Sequence, residues 1–227
     1  MNSHLILRRT TLILAVLLAA QCAWLLIPGL LPGGPDRLPT DPQPAAAAAK
    51  RRDGAAWAAS IGAIRGDLWA RSAFTYSDLL WNEDDSSEAF RQASQRADGN
   101  LERTFEYAPC QAGAWLLFAA LASRVSLSGP KATAALKMAY YTGPSQQTLV
   151  PLRLNIAAQS ADFTDLEMQQ LVMRDLRLLL ARQEKSAIVA AYDTASPAGR
   201  RFIEQSLGTI DPTALQLLPG GAKPEPH

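Results

Sequence analysis

A chain of 227 residues has room for one domain with a real core plus tails, and its formal net charge of +1 with 19% charged residues leaves no overall field for an acidic partner. Basic side chains nowhere interleave with aromatics along a segment, so nucleic-acid binding is discounted. Two cysteines, Cys22 and Cys110, cannot build a disulfide framework, and the two histidines, His4 and His227, stand at the termini, so the folded region lacks the commonest general base and metal ligand.

From Thr10 to Pro35 the chain carries no charge, and Thr11–Ile27 reads TLILAVLLAAQCAWLLI. Extended to Leu31, the block reaches the roughly 20 residues a helix needs to cross a bilayer core. Arg8 and Arg9 precede it, and Trp24 lies near its far end, where an interfacial aromatic is expected. Ala20-Gln-Cys-Ala offers small residues for signal cleavage, but Trp24-Leu-Leu-Ile continues the apolar run beyond them. A lipoprotein acceptor at Cys22 would want a small residue where Gln21 stands, and Arg8-Arg9 alone is too short for a twin-arginine signal. An uncleaved signal anchor over residues 1–31 is the preferred reading. The basic pair at its start predicts a cytoplasmic N-terminus, with the large domain outside the membrane.

Residues 32–53 read as a Pro/Ala-rich linker. Between Pro28 and Asp53 there are six prolines and three glycines, a composition that holds two bodies apart. Ala45–Ala49 is a possible helix start continuing through Lys50. Residues 54–218 read as helical throughout, and 219–227 as a disordered tail. Ala55–Trp81 spaces Trp57, Ile61, Ile64, Leu68, Ala73 and Tyr76 as one helical face, with Gly62 and Gly66 as weak points. Asp85 and Glu88 are a candidate capping box for a helix over Ser86–Tyr107, which Asp98-Gly-Asn100 is positioned to interrupt.

Trp115, Phe118, Ala119 and Ala122 share a face of a helix over Gln111–Arg124. Gly129-Pro130 opens its partner and Gly143-Pro144 closes it. Ser145–Gln159 reads as a helix disturbed at Pro151. Thr164-Asp-Leu-Glu167 is a capping box, and the helix it opens carries Met168, Leu171, Val172, Leu176, Leu179 and Leu180 on one stripe. Shorter helices follow over Glu184–Asp193 and Pro197–Leu207, the second capped by Ser196, with one more turn at Thr213–Leu218. The fold class expected is all-α.

Ala97, Leu101, Thr104 and Pro109 recur 35 residues later as Ala132, Leu136, Ala139 and Pro144. A period of that length with helical spacing inside it marks stacked helix-turn-helix units. Trp115, Phe118, Ala119, Ala132, Leu136, Ala139 and Pro144 resemble the signature of tetratricopeptide-type repeats. Trp69, Ala73, Tyr76, Ala97, Leu101 and Pro109 form a looser copy, with Thr104 in place of a usual alanine and longer helices or an insertion around Asp84. The resemblance covers about a third of the chain and implies a short helical repeat domain behind one transmembrane helix. It also implies a groove to which Asp67, Phe74, Ser77 and Asp78 from one hairpin, and Ser123 and Arg124 from the next, would contribute. The whole layout of anchor, Pro-rich linker and Gly-Asp-Leu-Trp69 is similar to small repeat proteins of bacterial exopolysaccharide biosynthesis and export loci, which implies an accessory role in envelope polysaccharide production.

Chemistry-bearing clusters are sparse. Glu83-Asp84-Asp85 lacks the ligand spread and glycine turn of a Ca²⁺ loop and reads as solvated loop. Asp162, Asp165 and Glu167 are explained by capping and the helix dipole. Cys110 has no histidine to activate it and reads as a partly buried structural thiol. No Gly-x-Ser-x-Gly elbow and no phosphate-cradling loop occur. The expectation is a non-catalytic scaffold without cofactor or metal, held in the inner membrane of a bacterium and binding a protein partner of the cell envelope on the periplasmic side. The alternatives are a periplasmic glycan-binding or glycan-processing factor using acids such as Asp67 and Asp78, or a cytoplasm-facing regulatory adaptor.

Overall fold

The computed structural model describes residues 2–30, 45–77, 84, 86–124, 129–160 and 163–219. Among them every regular element is a helix and no strand occurs, so the chain is all-α. The chain divides into two compact units, Met1–Pro109 and Cys110–His227, taken here in turn. The expected tail after Pro219 lies outside the described residues.

The first unit begins with α1, Asn2–Leu30. Within it Ile6–Ile27 is a 22-residue stretch of mean hydropathy 2.2, none of it buried by protein, long and apolar enough to cross a membrane. Helix α2, Ala45–Ile61, takes in the second half of the expected linker, the alanine run having started a helix as its propensity suggests. The single helix expected over Ala55–Trp81 is broken: α2 ends at Ile61 and α3 runs from Gly66 to Phe74. The turn between them is closed by Gly62 N–H to the Ala58 carbonyl (2.9 Å) and Arg65 N–H to the Gly62 carbonyl (2.6 Å). This break re-phases the apolar face. Ala58 and Ala59 are buried against Leu68 and Trp69, and Ala55 is buried too, while Trp57 and Ile64, expected inside, are 67% and 65% exposed.

Helix α4, Glu88–Tyr107, packs against α3. Its cap is Ser87, whose Oγ accepts from Phe90 N–H at 3.0 Å, a contact worth about 1 kcal/mol. The expected cap, Asp85, lies outside the described residues. Phe90, Ala93, Ala97, Leu101 and Thr104 are buried at spacings of three and four, and Asp98-Gly-Asn100 does not interrupt the helix. Asn100 is put to use instead: its Nδ2 donates to Ser72 Oγ of α3 at 3.0 Å. Thr104 satisfies its buried hydroxyl on its own helix, donating to the Asn100 carbonyl at 2.9 Å.

The second unit opens with α5, Ala112–Arg124, and α6, Gly129–Thr142, which pack as a hairpin. The buried face of α5 is wider than the expected one, which it includes: Ala119 and Ala122 are fully buried. Leu116, Leu117 and Leu121 are buried with the alanines, and Trp115 and Phe118 stay half-buried in an edge-to-face pair, ring centres 6.4 Å apart. Ala132, Ala135, Leu136, Ala139 and Tyr140 of α6 are buried. A 3₁₀ turn, Gln147–Leu149, leads into α7, Val150–Ser160. Pro151 therefore sits in the first turn of a helix, where its missing N–H is not needed, rather than disturbing one.

Helix α8, Leu166–Ala181, buries the expected stripe through Met168, Val172, Leu176 and Leu179, with Leu171 and Leu180 partly covered. Its cap is Asp165, not Thr164: Oδ1 accepts from Glu167 N–H (3.0 Å) and Met168 N–H (3.2 Å). The helix ends in a Schellman arrangement, Glu184 N–H to the Leu179 carbonyl and Gln183 N–H to that of Leu180, with Gln183 at φ 59°. Helix α9, Lys185–Thr194, and α10, Pro197–Ile210, follow, then a 3₁₀ stretch, Pro212–Leu217. Ser196 caps α10 as expected, accepting from Gly199 N–H, and its own N–H and Oγ donate to the Ala158 carbonyl of α7. A Cβ at Gly199 would lie 2.0 Å from that same oxygen, so only glycine permits the approach.

Candidate functional site

The residues expected to line a groove are mostly committed elsewhere. Asp67, in the first turn of α3, pairs with Arg65: Nε and Nη2 donate to Oδ1 (3.2 Å) and Oδ2 (2.7 Å) as a fork. Phe74 is buried at 7% exposure, and Ser77 is fully buried with Oγ donating to the Phe74 carbonyl at 2.6 Å. Neither can face a ligand, because both serve the end of α3 and its continuation. Asp78 lies outside the described residues. Ser123 is exposed but turns its hydroxyl back to the Ala120 carbonyl (2.7 Å), and Arg124 is half-buried at the end of α5. Asp67, Phe74 and Ser77 belong to the first unit, Ser123 and Arg124 to the second.

Asp84 accepts from Ser87 N–H through its carbonyl, while Glu83, Asp85 and Asp162 lie outside the described residues. Cys110 is exposed rather than partly buried, since it sits in the turn before α5 and not on its packed face. Among the described residues no three His, Cys, Asp or Glu side chains converge as a metal site would require.

The densest polar chemistry is a cluster the sequence reading did not single out. Arg153 of α7 is fully buried, and its guanidinium donates from Nε and Nη2 to Asp175 of α8, both at 3.0 Å, and from Nη1 to the Gly143 carbonyl at 2.9 Å. Its charge also lies 4.6 Å from the centre of the buried Tyr140 ring, and Arg174 approaches the same ring at 5.8 Å. Burial raises the Asp175 carboxyl above its ordinary value, an effect that Arg153 opposes. Burial and then the Asp175 charge push the Tyr140 phenol well above its usual range, and its hydroxyl lacks a hydrogen bond of normal geometry. With three donors spent on protein acceptors and no access to solvent, Arg153 is a structural joint between α6, α7 and α8. Asp175 is visible in the sequence as an acid two helical turns on from Met168, in the apolar stripe.

A second network lies at the surface between α6 and α8. Lys137 Nζ meets Asp165 Oδ2 (2.6 Å) and Glu167 Oε2 (2.7 Å), and the Tyr141 hydroxyl also donates to Glu167. The hydrogen bonds from Lys137 hold both carboxyls below their ordinary values, and the same bonds raise the lysine. Capping explains Asp165, but Glu167 does not close a capping box as expected; it is turned to Lys137 and Tyr141.

The second unit also has an open cleft of about 470 Å³ beside α8 and α10. Phe163 and Phe202 stack at its side with ring centres 4.4 Å apart, and Gln169, Met173, Arg201 and Thr209 contribute to its walls. It offers aromatic and thioether surface with amide and guanidinium donors, a lining suited to a short amphipathic segment. Among the described residues lining it none is a carboxylate. No protein-family model matches this chain, and neither the curated proteins nor the solved structures contain a significant match.

Proposed function

We propose that the chain is a membrane-anchored, non-catalytic helical scaffold of the bacterial cell envelope, crossing the inner membrane once through α1 and presenting its helical units to a partner protein on the periplasmic side. The observation that carries this reading is α1: the 22-residue stretch Ile6–Ile27, apolar from Thr10 onward, exposed along its length except for a half-buried Trp24, with Arg8 and Arg9 near its start. Support for tetratricopeptide-like hairpins comes from Ala97, Leu101 and Thr104 and their counterparts Ala132, Leu136 and Ala139, all between 0% and 1% exposed. The cleft along α8 and α10 is the surface best suited to a partner. An accessory role in polysaccharide biosynthesis or export rests on the resemblance of the layout alone.

Fractionation tests the anchor. The full chain is expected to stay in the membrane pellet through alkaline carbonate and to be released by detergent, while a chain lacking residues 2–30 is expected to leave the pellet. Release of the full chain by carbonate would overturn anchoring. A reporter fused after His227 that is active only in the cytoplasm would overturn the periplasmic placement. In-cell crosslinking from Arg201→Cys should capture a partner that Arg96→Cys, on the exposed face of α4, does not.

A further inference from the structure

Two bonds tie the exit end of α1 to the turn that follows α2. Trp24 Nε1 donates to the Ile61 carbonyl at 2.9 Å, and Arg65 Nη1 donates to the Leu25 carbonyl at 3.2 Å. Trp24 lies three residues before the end of the apolar span at Ile27, about 4.5 Å along a helix axis. If α1 crosses a bilayer, that level is the boundary between acyl chains and headgroups, where tryptophan is at home. The Gly62–Arg65 turn is therefore held at the same depth. Trp69 Nε1 fixes the turn from its other side, donating to the Ala63 carbonyl at 3.0 Å.

The turn and the last helical rungs of α2 are also where the first unit leaves large apolar side chains in the open. Trp57 is 67% exposed and Ile64 65%, whereas the alanines of α2 alone serve the contact with α3. An exposed Trp and Ile are unfavourable in water but suited to an interface, where the indole body is buried and its N–H stays wet.

We infer that the first unit is not held clear of the membrane on a spacer but lies on it: Trp57, Ile64 and the Gly62–Arg65 turn dip into the headgroup layer of the bilayer that α1 crosses. The inference rests on the proposed anchoring, and the occupant of the exposed face is the lipid surface. The apolar helix already fixes the membrane level, and the two hydrogen bonds carry that level to the turn.

Depth-dependent quenching separates the inference from the anchoring. In the full chain with Cys22→Ser and Cys110→Ser, a polarity-sensitive fluorophore is attached singly at Leu17→Cys, Trp57→Cys, Ile64→Cys or Arg96→Cys, and each protein is placed in phosphatidylcholine vesicles with lipid-borne quenchers at shallow or deep positions. Arg96 is exposed on α4, twelve residues and about 18 Å from the Ala108 end that meets the start of α3. Expected are deep quenching at position 17, shallow quenching with a blue shift at 57 and 64, and no quenching at 96. Deep quenching at 17 with positions 57 and 64 behaving like 96 would overturn the inference and leave the anchor standing. A blue shift at 57 and 64 without lipid quenching would overturn it in favour of a protein cover, such as a second copy. No quenching at 17 would remove the anchor and the inference together.

Discussion

The hairpins α3–α4 and α5–α6 close in the same way with their small residues exchanged. In the first, Gly66 at the start of α3 faces Ala108 just after α4, and a Cβ on the glycine would lie 2.5 Å from that of the alanine. In the second, Ala112 at the start of α5 faces Gly143 just after α6, at 2.4 Å. Ala108 and Gly143 stand 35 residues apart, the same interval that relates Leu101 to Leu136. What is kept is thus not a glycine at one place but the sum of two side chains, small enough for the helix ends to meet. Around these shared joints the units differ. The described core of the first is largely alanine with a few large side chains such as Leu68, Phe90 and Leu101, and its apolar surplus faces outward at Trp57 and Ile64. The second fills its interior with Leu, Val, Ile, Met and Phe and adds a buried ion pair. The contrast suits a first unit that shares its apolar surface with a membrane and a second that is complete on its own.

The largest expected effect tests that completeness. Arg153→Met leaves Asp175 buried without its partner and should cost the second unit about 3–5 kcal/mol in urea denaturation, whereas adding Asp175→Leu should restore most of it. Amide exchange should show the loss confined to residues 110–219; equal loss in α3 and α4 would mean that the units do not unfold separately. Next come the joints. Gly66→Ala and Gly143→Ala should each destabilise by about 1–3 kcal/mol through the clash at the hairpin end. Ala112→Gly should recover part of the Gly143→Ala loss, and a strictly additive pair would refute the shared-volume account.

A smaller effect follows from pH. Asp165 and Glu167 are held below their ordinary values of 3.8 and 4.5, so their contribution is present above those values and is withdrawn as pH falls through the depressed ones. Melting of the second unit should weaken below about pH 4.5, and Lys137→Met should flatten that slope. Asp175 works in the opposite sense: its raised pKa favours the folded chain below 3.8 and the benefit fades as pH climbs, so Asp175→Asn should steepen the acid loss. The smallest changes are gains. Gly99→Ala in exposed mid-helix, where the new Cβ meets nothing within 4 Å, and Gln183→Gly at φ 59° should each stabilise their own unit by about 0.5–1 kcal/mol. Thermal melts of the two variants check this.

Helices with a strong apolar period could be read from residues alone: α1, the stripe of α8 through Met168 and Leu179, and the Ser196 cap of α10 all stand as expected. Where the period is carried by alanine the reading slips, because alanine is as content on a surface as in a core. Spacing alone points Trp57 and Ile64 inward, but Ala55, Ala58 and Ala59 take that side. Two of the groove residues, Phe74 and Ser77, are buried for another reason. Repeat position alone points both outward, whereas the break at Gly62–Arg65 sets α3 as a short helix whose end buries them. Arg153 gave no local sign of its role, since its partners lie 22 residues ahead in α8 and 10 behind at Gly143.

The bonds from Trp24 and Arg65 have a mechanical consequence. Because they fasten the end of α1 directly to the turn between α2 and α3, the chain from Leu25 to Ile61, α2 included, is a loop closed at those bonds. The number of residues in that loop then does not set how far the first unit stands from the bilayer. Lengthening it with Gly-Ser should leave reach unchanged, whereas Trp24→Phe with Arg65→Ala would turn the same segment into a tether whose length matters. With α1 in a bilayer, as proposed, force applied to the first unit would reach the membrane through an indole and a guanidinium, not through the peptide chain between them.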